Sequence, residues 1–174
     1  RMSEVQTLII GIGNRYRGDD ALGCLIVDEL SQQVPSNVTC IEHDGEPAGL
    51  IECWQDASKV LLIDAVSSGA PAGKIFRFDL AQQALPEEFN LYSTHAFGVP
   101  QAVELARALN RLPSQIHFIG VEGACFDAGE ALSPTLDEAK GLVIKEILQT
   151  LSMPTLPIPN EASNPITAKE ETDA

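Results

Sequence analysis

Short apolar runs alternate with amphipathic stretches along this chain, and that alternation limits the fold more than any other feature. Leu8–Ile12 and Val60–Ile63 are apolar at successive positions, so both faces of a strand there are buried. After the first run the apolar spacing changes to three and four. Leu22, Leu25, Ile26 and Leu30 share one face of a helix expected from Asp19 to about Gln33. The pattern then repeats. Strands are expected at Val38–Ile41, Val60–Ile63, Lys74–Phe78 and Ile116–Val121. Helices are expected from Pro47 through Trp54, over 99–110, and from Ser133-Pro134 through Leu151. Such an order builds an α/β fold, a three-layer α/β/α sandwich with a five-stranded, mostly parallel sheet. Too few residues separate the third and fourth strands for a crossover helix. The fourth strand, with its two cations, is therefore expected to be an antiparallel edge.

The 174 residues suit one domain. It is expected to span 1–153 as a single α/β unit, and 154–174 to be a flexible tail. The tail holds four of the eleven prolines and a net charge of −3. The whole chain carries −14, which excludes a general nucleic-acid-binding surface and disfavours an anionic membrane. No apolar run approaches the roughly 20 residues of a membrane span. The four cysteines, at 24, 40, 53 and 125, form no Cys-x-x-Cys pair. With no leader-like segment evident, they are expected to be reduced thiols of a cytoplasmic protein. No self-complementary patch is evident on so acidic a chain, and a monomer is expected.

In open α/β sheets ligands bind beyond the carboxyl ends of the strands. That rule selects the turn Gly11-Ile-Gly-Asn14 with Asp19 and Asp20 behind it, Asp64 after the third strand, Glu122 after the fifth, and His95 just before a helix. The turn is not a dinucleotide fingerprint, because Tyr16 stands where a third glycine is needed. Asp19 suits a helix start, which leaves Asp20 to aim elsewhere. Asp64 either caps the turn through Ser67-Ser68-Gly69 or serves a site. Asp20, Asp64 and His95 together offer two carboxylates and an imidazole, a mixed set for a borderline divalent metal. Asp44-Gly45 reads as a turn. His43 and His117 read as strand residues, packed or hydrogen-bonded. A Cys125–His95 hydrolase pair has nothing in the spacing to support it.

Taken in order, the blocks Leu8–Asn14, Gly18–Gly23, Asp44–Gly49, Leu62–Val66, Ser93-Thr-His95, Gly120–Glu122 and Gly129–Pro134 resemble the hydrogenase maturation proteases over roughly residues 6–150. The resemblance implies a phosphorylase/hydrolase-like α/β/α fold and an endopeptidase that removes a short C-terminal extension from the large-subunit precursor of a nickel–iron hydrogenase, after nickel insertion. It implies that Asp20, Asp64 and His95 contact the metal and do the catalysis. Many members carry Glu where this chain has Asp20, which shortens the reach by about 1.5 Å. It further implies that nickel is carried by the substrate precursor, with no tightly bound cofactor of the protease itself. The attacking group is left open between a metal-activated water and a carboxylate base. Two alternatives use the same fold: a non-catalytic nickel- and partner-binding checkpoint, and a peptidyl-tRNA hydrolase. The second needs a histidine soon after the first turn, where this chain has Asp19 and Asp20, and cations for tRNA.

Overall fold

A computed structural model describes residues 6–91 and 98–152. Five strands form one sheet: β1 (Thr7–Ile12), β2 (Val38–His43), β3 (Lys59–Val66), β4 (Ile75–Asp79) and β5 (Gln115–Glu122). Their order is β2-β1-β3-β5-β4. All neighbours are parallel except β4, which runs antiparallel to β5 at the edge. The helices are α1 (Leu22–Leu30), α2 (Pro47–Trp54), α3 (Glu88–Leu91), α4 (Val99–Ala108) and α5 (Pro134–Ser152). No described helix is long and apolar enough to cross a membrane.

The period-two geometry of each strand sorts the core into two layers. Leu8, Ile10 and Ile12 of β1 join Leu62, Trp54 of α2, Phe89 of α3 and Val103 of α4. Ile9 faces the other way, with Leu22 and Ile26 of α1, Ile63, Ile119 and Val143 of α5. The expected three-layer α/β/α sandwich is therefore present, with α2, α3 and α4 on one face and α1 and α5 on the other. Glycine lets α1 lie unusually close to the sheet. A Cβ on Gly11 would meet the Gly23 carbonyl oxygen at 2.1 Å, and one on Gly23 would meet the Ile12 and Ile63 carbonyl oxygens at 2.6 and 2.7 Å. The first turn of α1 is thus pressed onto the ends of β1 and β3.

Two elements differ from the sequence expectation. The segment Gly18–Ala21 is a 3-10 turn, and α1 begins only at Leu22. Helix α3, one turn long, carries too few residues to show an apolar period. The proposed tail, 154–174, lies outside the described residues. All four cysteines are free thiols.

Candidate active site at the sheet's carboxyl edge

After β1 the connection runs to one face of the sheet, and after β2 to the other. Strands β1 and β3 therefore part at a topological switch point, where a cleft opens beyond their carboxyl ends. Gly13 closes β1 at φ +140°. Its absent Cβ would lie 2.0 Å from the Asp20 carbonyl oxygen and 3.2 Å from Asp20 Oδ1. Only glycine lets Asp20 come so near the strand end. The Asn14 backbone N–H donates to Asp20 Oδ2 at 3.1 Å, and Asp20 is 2 % exposed.

Asp64 occupies β3 in register with Gly120 of β5. The residue is partly buried, yet its Oδ1 is shut away from solvent with no hydrogen-bond partner among the described residues. Burial pushes this carboxyl well above the ordinary carboxylate range, and the nearby Asp20 charge pushes the same way. The Ala65 backbone N–H opposes both. A buried acceptor left unpaired costs about 1–3 kcal/mol. Stability alone does not account for an aspartate in this place, and a proton or a cation would relieve it.

The structure thus brings Asp20 and Asp64 together. His95 lies outside the described residues, within 92–97, between α3 and α4. By strand alternation Asp64 points to the same face that α3 and α4 cover. Among the described residues no group of three His, Cys, Asp or Glu side chains stands at metal-binding range.

The carboxylates around this pair are structural. Asp19, fully buried, does not cap the helix start as expected. It reaches across to the β5–α5 loop and accepts the backbone N–H groups of Ala124 (2.7 Å), Cys125 (3.1 Å) and Ser133 (2.7 Å), with the Ser133 hydroxyl at 3.0 Å. The 3-10 turn aims it away from α1's free N–H groups, a turn that helical periodicity does not reveal. Glu122 accepts from the Ser68 and Gly69 backbone N–H groups and the Ser68 hydroxyl, fixing the loop after β3. Arg15 holds the site loop from outside by paired contacts to Asp28 and Glu42. Asp44 forms the expected turn, accepting from the Glu46 backbone N–H, and His43 Nδ1 accepts from that of Gly45. The Cys24 thiol, buried against the Gly13 carbonyl oxygen, is pushed up to about 12 by burial and is inert as a nucleophile. The Cys125 thiol contacts Asp127. Sequence reading missed the Asn14 amide on Asp20 and the Ser133 clasp on Asp19. Both are backbone-directed contacts without a residue pattern of their own.

A doubly wound α/β/α sandwich with two aspartates close enough to interact electrostatically at its switch point defines the class. The model of the hydrogenase maturation protease family matches residues 24–150, and the chain belongs to that family; it is a peptidase. The hydrogenase 2 maturation protease of Escherichia coli is 26 % identical over 154 residues, 84 % of this chain and 91 % of that one. The hydrogenase expression/formation protein HupD of Thiocapsa roseopersicina is 26 % identical over 153 residues, 86 % of this chain and 69 % of that one. A NiFe hydrogenase maturation protease, HycI, from Thermococcus kodakarensis superposes with a TM-score of 0.69 at 24 % identity. It covers 87 % of this chain and 96 % of its own, and shares the fold.

Proposed function

We propose that this peptidase removes the C-terminal extension of a nickel–iron hydrogenase large-subunit precursor once nickel has been inserted, and that it recognises the nickel its client carries. The observation behind this reading is the Asp20–Asp64 pair, with one buried Asp64 oxygen unpaired among the described residues and that carboxyl held above its usual range by burial and, next, by the Asp20 charge. Such a pair favours a bound cation over two free negative charges. Two carboxylates with one imidazole, and no thiolate, leave part of a nickel ion's coordination open. Thiolates of the client would fill it. In this reading Asp20, Asp64 and His95 touch the client's nickel and hold the scissile bond beside it.

Hydrolysis then needs a water, a base to take its proton and a donor for the leaving amine. Asp64, whose proton affinity is raised by burial and the Asp20 charge, is the base in one version. In the other, the substrate's nickel polarises the carbonyl or activates the water. The test is cleavage of nickel-loaded and nickel-free precursor, followed by mass spectrometry. The loaded precursor alone is cut by the unaltered protein, and Asp20→Ala, Asp64→Asn and His95→Ala each abolish the cut. Equal cleavage of both precursors would exclude recognition of the client's metal.

A further inference from the structure

The loop Asn14–Arg17 is held at nearly every backbone group. Asn14 donates its N–H to Asp20, and the Asn14 side-chain oxygen accepts the Tyr16 N–H at 2.9 Å. The Tyr16 carbonyl accepts the Gly129 N–H at 2.8 Å. Arg17 donates to the Asn14 carbonyl and accepts the Asp20 N–H at 3.1 Å. Arg15 is clamped by two carboxylates. Yet the Tyr16 side chain is turned outward, 78 % exposed, the most exposed of the large apolar residues described. Arg17 beside it is exposed and makes no ion pair with any described residue, although Asp127 and Glu130 lie on the facing loop. An aromatic ring and a free guanidinium, presented on a fixed backbone one hydrogen bond from the site aspartate, cost little entropy to engage. Tyrosine and arginine are also the residue types that dominate contact energies at interfaces.

We propose that Tyr16 and Arg17 are the point by which the protein grips its client: they seat an apolar side chain next to an acidic one in the precursor segment flanking the cleaved bond. This rests on the proteolytic reading above. The charge argument is local. A surface of net −14 repels acidic chains in general, so an unpaired cation beside the cleft selects where an acidic residue of the client is tolerated. Tyr16 supplies apolar contact and Arg17 sets orientation.

The experiment measures binding and cleavage of the nickel-loaded precursor side by side. Tyr16→Ser and Tyr16→Ala, with Arg17→Gln and Arg17→Ala, are compared so that one poorly folded variant does not decide the matter. Leu142→Ser, an exposed leucine on α5, is the control. Loss of the ring weakens binding and raises KM about tenfold, while the rate at saturating precursor is kept. Loss of the guanidinium weakens binding less and removes most of its salt dependence. Tyr16→Phe restores binding, and the control leaves it unchanged. Unchanged affinity in correctly folded Tyr16 and Arg17 variants overturns the docking contact. Tyr16-dependent binding without any cleavage by the unaltered protein overturns the proteolytic reading and keeps the contact.

Discussion

At the scale of single residues, the site is legible as a conflict between fold and function. Asp64 follows four apolar residues in β3, and a Leu or Val there would suit the layer beneath α2 and α4. Instead a carboxylate stands with one oxygen unpaired among the described residues and a second aspartate close by. Its carboxyl titrates higher folded than unfolded. The folded state therefore holds more protons between the unfolded value, about 3.9, and the raised folded one. The contribution of Asp64 to stability is present below that window and is lost as pH rises through it. Asp64→Asn keeps the shape, removes the charge and lets an amide N–H face Asp20. In the metal-free protein it raises the unfolding free energy at pH 7 by on the order of 1–3 kcal/mol. At pH 4 the gain shrinks. Urea unfolding at the two pH values, comparing variant with unaltered chain, checks the sign. A gain independent of pH would contradict it.

At the scale of elements, apolar period and strand alternation carry most of the fold. Leu8–Ile12 and Val60–Ile63 announce central parallel strands, and the short link before β4 announces its antiparallel edge position. Asp20 is likewise readable, because it follows a strand end where ligands bind; Asp64 is selected by the same rule, although β3 runs on past it to Val66. What periodicity does not convey is how closely two elements approach or which way a turn aims a side chain. The 3-10 turn at Gly18–Ala21 is such a case: it carries Asp19 away from α1 and into the β5–α5 loop. One fully buried carboxylate there accepts from three backbone N–H groups and a hydroxyl, and so ties the loop to the turn. Asp19→Ala therefore costs roughly 2–4 kcal/mol, more than an ordinary helix cap at about 1 kcal/mol. Amide exchange localises the damage: the N–H groups of Ala124, Cys125 and Ser133 lose protection before those of β1. Uniform loss across the sheet would mean that Asp19 supports the whole core rather than one loop. Gly23→Ala is harsher. Its methyl would lie 2.6–2.7 Å from the carbonyl oxygens of Ile12 and Ile63, so α1 and the turn bearing Asp20 must lift away. Cleavage falls even where the domain still folds, which circular dichroism beside the precursor assay separates.

At the scale of the whole molecule, the proposed function has the chain supply an incomplete metal site. The crossing of connections after β1 and β2 sets Asp20 and Asp64 at one cleft, and among the described residues no third ligating side chain joins them. Carboxylate oxygens alone hold nickel weakly beside imidazole and thiolate. Adding His95, as proposed, still leaves the coordination shell open, so the purified protein binds nickel weakly and reversibly. In the proposed function the client's thiolates complete the shell, and affinity is expected only when protease, metal and precursor meet. A metal shifts an equilibrium only by its differential affinity for the two states. Weak binding by the protease alone is therefore what the proposed reading requires for nickel to report on the client's maturity. A tight resident ion would be present whether or not the client was loaded, and would gate nothing. Calorimetric titration of nickel into the isolated protein gives a shallow isotherm that a mild chelator abolishes. Chelation of free nickel leaves cleavage of an already loaded precursor intact, because the ion that matters is held by the client. Tight one-to-one binding by the protease alone, with cleavage lost on chelator treatment of the protease before mixing, would make it a metallopeptidase carrying its own ion.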